Sequence, residues 1–139
     1  MKILLPVFLV CASLLGGCAT TNQRVLDMGD ETQLQKRSYQ TRTFETTDKE
    51  KVLRATISTL QDLGFVIDRA DLLLGSVSAT KQDRNLIRIT VSVRSKGNDR
   101  MSVRANAQFN VSPIEDPKHY QDFFSSLEKS LFLTAHAGE

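Results

Sequence analysis

Two runs of strict alternation on either side of a Gly-Asn pair constrain the fold of this 139-residue chain more than any other feature. From Leu86 to Arg94, Ile87, Ile89, Val91 and Val93 fall on one side of an extended chain, and Arg88, Thr90, Ser92 and Arg94 fall on the other. From Met101 to Val111 the pattern repeats: Met101, Val103, Ala105, Ala107, Phe109 and Val111 oppose Ser102, Arg104, Asn106, Gln108 and Asn110. A period of two is that of a strand with one face buried. The segment Ser95–Arg100, with Gly97-Asn98 at its centre, is the hairpin loop that joins the two strands. With Val93 set opposite Met101, Thr90 faces Arg104 and Arg88 faces Asn106. Clean alternation on both strands predicts an antiparallel sheet with one apolar and one water-facing side.

Three weaker strands and two helices complete the pattern. Ser38 to Glu45 is rich in Thr, Tyr and Phe, which suits a strand; Phe65–Ala70 and Ser76–Lys81 read likewise. Between them the spacing predicts a helix over 48–63. Thr47 as N-cap with Glu50 three residues on forms a capping box. Leu53, Ile57 and Leu60 make the apolar stripe, and Gly64 followed by Phe65 makes the C-terminal stop. Asp116 and Pro117 open a second helix at about 117–134, where Tyr120, Phe123, Phe124, Leu127 and Leu131 recur on one face. The order is β-α-β-β-β-β-α. The fold class is α+β: a curved antiparallel sheet with both helices packed on its apolar face. Phe44, Phe65, Phe109, Phe123 and Phe124 are bulky enough to fill that core, with a ligand cavity under the helices as the alternative. The expected sheet edges are Ser38–Glu45 and Phe65–Ala70, guarded by Arg42 and by Asp68-Arg69.

The N-terminus is an address rather than a fold element. Met1-Lys2 is basic, and Ile3 to Leu15 is thirteen residues with no charge. A bilayer span needs about 20 helical residues, so this run is too short to cross and reads as the apolar region of a secretory signal. It ends in Leu15-Gly16-Gly17-Cys18. That tetrapeptide resembles the bacterial lipobox, in which small residues admit the peptidase and the Cys thiol accepts a diacylglycerol as a thioether. The resemblance implies a signal peptide at 1–17, lipidation of Cys18 and two or three acyl chains, palmitate among them. Two or more chains anchor a protein stably. Ala19, in place of the Asp that tends to retain such lipoproteins at the inner membrane, points to the outer membrane with the domain facing the periplasm. Cys11 leaves with the signal and Cys18 carries lipid, so no thiol remains for disulfide, metal or nucleophilic chemistry. Residues 18–36 are polar and without a sustained period and read as a flexible tether, which leaves 37–136 as a single domain.

This order of elements behind a lipobox resembles the helix-grip domains of the BamC lipoproteins, members of the bacterial β-barrel assembly machinery. The features that carry the likeness are the strand Ser38–Glu45, the helix ending Leu60-Gln61-Asp62-Leu63-Gly64-Phe65, the segment Leu74-Gly75-Ser76-Val77 and the aromatic last helix. That family has two such domains and a long arm. With one domain and a short tether, this chain is nearer to the small proteobacterial lipoproteins that carry a single helix-grip domain. The resemblance implies a non-enzymatic accessory or scaffold of a cell-envelope complex. A carrier or sensor of a lipid-like ligand is the alternative.

Residue by residue, little in the chain points to catalysis. The two histidines, His119 and His136, have no second ligand at metal spacing, so no metal is expected. No nucleophile elbow or phosphate-binding glycine loop occurs, and neither enzymatic activity nor a cofactor is expected. A formal charge of +2, reduced to +1 once Lys2 is removed, gives no pull toward nucleic acid. The candidate binding face is the wet side of the sheet, where Arg88, Arg94 and Arg104 stand, with Arg100 at the hairpin end. It carries no aromatic residues, which counts further against nucleic acid. The partners expected are the membrane, through the acyl chains on Cys18, and an envelope protein complex.

Overall fold

The computed structural model describes residues 33–82 and 84–136, the last four by backbone alone. The signal segment, Cys11, Cys18 and the tether as far as residue 32 lie outside the described residues, as does Asp83. The folded unit begins at Gln35.

The described residues open with a helix, α1, over residues 33–40, and continue through β1 (Thr41–Phe44), α2 (Lys49–Asp62), β2 (Val66–Asp71), β3 (Ser76–Gln82), β4 (Leu86–Lys96), β5 (Arg100–Phe109), β6 (Ser112–Pro113) and α3 (Pro117–His136). The strands form one open antiparallel sheet in the order β1-β5-β4-β3-β2, with β6 also on β5. The α+β class and the β-α-β-β-β-β-α order expected from the sequence are present, extended by α1 and the two-residue β6. The edge strands are β1 and β2, the two expected.

Helix α2 starts one residue later than the capping box implies. Asp48, not Thr47, is the N-cap, and its Oδ1 accepts from Lys51 N at 2.9 Å. An aspartate here adds favourable charge at the helix N-terminus, which threonine lacks. Glu50 is released from capping and pairs with Arg54. The helix ends as the sequence implies. Gly64 has φ 83°, Phe65 N donates to Leu60 O and Gly64 N donates to Gln61 O, the paired bonds of a Schellman stop. Asp116 caps α3 through Lys118 N.

The core lies between the apolar sheet face and the two long helices. Val77, Ala79, Ile89, Val91, Val93, Met101, Val103 and Ala105 supply the sheet side. Val52, Leu53 and Leu60 come from α2, and Tyr120, Phe123, Phe124 and Leu127 from α3. Leu131, the last residue of the expected stripe, is half-buried.

Four expectations need correction. Residues 38–40 are helical rather than extended, and the helix includes residues 33–36 of the expected tether. Tertiary contacts recruit this segment: Lys36 pairs with Glu115, the Tyr39 and Tyr120 rings lie 5.3 Å apart, and Gln40 Nε2 donates to the Tyr120 hydroxyl. The β4–β5 register is shifted by two residues: Val93 faces Val103, Ser95 faces Met101, Ser92 faces Arg104 and Arg88 faces Gln108. The strands run on to Lys96 and Arg100, so the loop is shorter than the polar composition of 95–100 suggests. Phe109 is 42% exposed and Val111 is 91% exposed. Asn110, at φ 55°, and Val111 form the two-residue turn into β6, so Val111 stands at a hairpin tip rather than on the inward face of the sheet.

Candidate functional site: an apolar cleft and the polar sheet face

The polar face does not gather its arginines into one cluster. Arg94 lies opposite Ser102 and Arg104 opposite Ser92, so these two are diagonal neighbours, roughly 7–8 Å apart at this pairing. Arg88 lies six residues from Arg94 along β4, about 20 Å away. Arg100 pairs with its neighbour Asp99 at the hairpin. Arg88 and Arg94 are exposed and Arg104 is half-buried, its Nε shielded from water without a hydrogen-bond partner. The face is a solvated surface with two adjacent cations rather than a preformed anion site.

The edges carry the expected guards, each in a specific form. Arg42 lies with its guanidinium 5.4 Å from the Phe124 ring centroid and donates to the carbonyls of Ser38 and Thr41. It thus places an inward charge on β1. On β2 the register shifts between Ile67 and Arg69, a bulge centred on Asp68, which accepts from Thr80 Oγ1. Bulges and inward charges are both devices that discourage edge pairing.

The apolar face is not filled throughout. A cleft of about 550 Å³ opens between the C-terminal end of α2 and the first turns of α3. Its floor is Ile87, Ile89 and Ala107; its walls include Leu63, Phe65, Ile114 and Phe123; Phe109 stands at the rim. Ala107 contributes a single methyl where a larger residue would close the space. Phe109, expected in the core, is the side chain that leaves it open. The polar groups on the lining are Lys81, His119, Asp122 and Tyr120.

The Tyr120 hydroxyl holds this end of the fold together. It accepts from Ala107 N at 3.2 Å and from Gln40 Nε2 at 3.3 Å, and donates to Ile114 O at 2.7 Å. Ile114 N in turn donates to Ala107 O. Between the stretch of β5 paired by β1 and the stretch paired by β6, the hydroxyl takes the place of the absent neighbouring strand. Burial, then the proximity of Tyr120, raises the Tyr39 phenol above its ordinary range.

At the mouth, Lys81 Nζ donates to Leu63 O at 2.9 Å and lies 5.9 Å from the Phe65 ring centroid. Asp122 is paired with Lys118 at 3.0 Å, and this hydrogen bond raises the lysine above its ordinary value. The bond to Glu115 raises Lys36 in the same way. His119 has Asp122 one turn away on the same lining, a neighbour that spacing alone does not single out. Among the described residues no group of three or more His, Cys, Asp or Glu side chains is placed to hold a metal.

A second feature is one that the sequence pattern does not bring forward. Leu72, Leu73 and Leu74 form the β2–β3 turn and all three are exposed, Leu73 by 92%. Asp71 Oδ1 accepts from Leu74 N and Lys49 Nζ donates to Leu73 O, which fixes the turn. The signal is three consecutive leucines in a segment that turn composition marks as a loop. No helix among the described residues is long and apolar enough to cross a membrane. Compared with the models of known protein families and with curated proteins, the chain matches neither.

Proposed function

We propose that this chain is a lipid-anchored envelope lipoprotein of the outer membrane, facing the periplasm, whose single α+β domain acts as a non-enzymatic accessory or scaffold. The observation that carries the proposal is Leu15-Gly16-Gly17-Cys18, whose Leu15 closes the thirteen-residue uncharged stretch that begins at Ile3. The folded unit begins at Gln35, so a short polar stretch links the anchor to the domain. Replacing Cys18 with Ala is expected to release the protein from the membrane; a wild-type chain that fractionates as soluble periplasmic protein contradicts the anchor. Affinity capture from detergent-solubilised membranes is expected to recover a stable envelope partner, and recovery of the chain alone contradicts the accessory role.

The cleft favours a second reading, in which the domain carries or senses a lipid-like ligand. An apolar recess of about 550 Å³ with a few polar groups at its mouth has the size and lining of a small-molecule site. Native mass spectrometry of the chain extracted from membranes tests it: a co-purified small amphiphile supports the reading, and a ligand-free chain opposes it.

A further inference from the structure

We infer that the cleft takes a single acyl chain bearing one anionic end group, with the hydrocarbon along Ile87, Ile89, Ala107 and Phe123 and the anion at the Lys81 ammonium. This rests on the ligand-carrying reading above and adds the chemical class of the ligand.

Two observations carry it. The floor and walls are hydrocarbon or aromatic, and the Tyr120 hydroxyl that touches the lining is already committed to Ala107, Ile114 and Gln40. A ligand body with polar groups along its length would leave them unpaired, which disfavours sugars, nucleotides and polar peptides. The charge at the mouth is the second observation. Asp122 is neutralised by Lys118, whereas Lys81 has no carboxylate partner among the described residues. Its ammonium gives one donor to Leu63 O and keeps two more for an incoming carboxylate or phosphate. Exposed Phe109 and Val111 add apolar surface at the cleft end of β5.

The test uses the full-length chain in a zwitterionic steroid detergent, which has no alkyl tail. Octanoate, decanoate, dodecanoate and dodecanol are titrated in, and binding is read from the methyl NMR shifts of Ile87, Ile89 and Ile114. Each added methylene is expected to tighten binding about fourfold until the cleft is full. Dodecanol, with the same tail and no charge, is expected to bind at least about tenfold more weakly than dodecanoate. Lys81→Met should remove that difference while leaving dodecanol binding intact, which also shows that the variant is folded. Ala107→Leu, with unchanged circular dichroism, should weaken all four ligands. Equal affinity for dodecanol and dodecanoate overturns the anionic end group and leaves the ligand-carrying reading standing. Absence of shifts with every ligand overturns both. Shifts seen in the Cys18→Ala chain but not in the wild type mean that the protein's own acyl chain fills the cleft, which overturns a free lipid as the occupant.

Discussion

Tyr120→Phe isolates one oxygen atom and should reveal how much of the domain depends on it. The ring is 2% exposed and packs in the core, so the substitution leaves no cavity and preserves the contact with Tyr39. What is lost is the junction at β5. Ala107 N loses its acceptor in a buried setting, which costs about 1–3 kcal/mol for an unsatisfied donor. Ile114 O loses its donor in a half-buried loop, and Gln40 loses a long bond that its amide can remake elsewhere; these add roughly 1 kcal/mol together. The expected destabilisation is about 3 kcal/mol, a fall in Tm of roughly 12–20 °C for a domain of this size. Urea unfolding followed by circular dichroism measures it, with Tyr39→Phe as a control that retains the aromatic contact and leaves the junction intact. A Tyr120→Phe variant within about 0.5 kcal/mol of wild type would refute the idea that the hydroxyl substitutes for a missing strand.

Gly75 has φ 67°, and a Cβ built on it would lie 2.5 Å from the Val93 carbonyl oxygen. Gly75→Ala should therefore cost roughly 2–3 kcal/mol in the same assay, and a neutral result would contradict the close approach of the β2–β3 turn to β4. Leu60→Ala should cost about 2–5 kcal/mol because the side chain is fully buried, whereas Leu73→Ala should change stability by less than about 0.5 kcal/mol. Comparable losses for the two would contradict the exposed turn. Tyr39, Lys36 and Lys118 all hold their protons to higher pH in the folded chain than in the unfolded one. The folded state thus binds more protons above about pH 10, and stability falls as pH rises through that window. Thermal melts at about pH 9 and about pH 11 should show the drop, and Tyr39→Phe should make it shallower; equal melting temperatures at both pH values would contradict it.

What is legible in the sequence is what depends on near neighbours. Alternation from Leu86 to Phe109 fixes two strands and their inward faces, because each side chain's direction follows from its position in the pleat. Gly64-Phe65 and Asp116-Pro117 fix helix ends through bonds that span a few residues. The rest depends on distant partners. Residues 38–40 have strand-like composition, yet Tyr120 and Glu115, far along the chain, hold that segment as helix. The β4–β5 register depends on where the hairpin closes, and both settings bury the same faces, so hydrophobic pattern alone does not separate them. The cleft exists because Phe109 and Ala107, both on inward positions, meet a part of the sheet that α2 and α3 leave partly uncovered. Arg88, Arg94 and Arg104 share one face, as the alternation implies, and Arg88 stands six residues from Arg94 on one strand, but where Arg104 falls beside them follows only from the register.

The intact mass of the chain extracted from membranes decides whether this domain works from an anchor at Cys18. A polypeptide beginning at Cys18 is expected, heavier than its sequence by a thioether-linked diacylglycerol, with or without a further acyl chain on the new amino terminus. A chain that begins elsewhere, or one whose Cys18 carries a free thiol, would contradict the anchor.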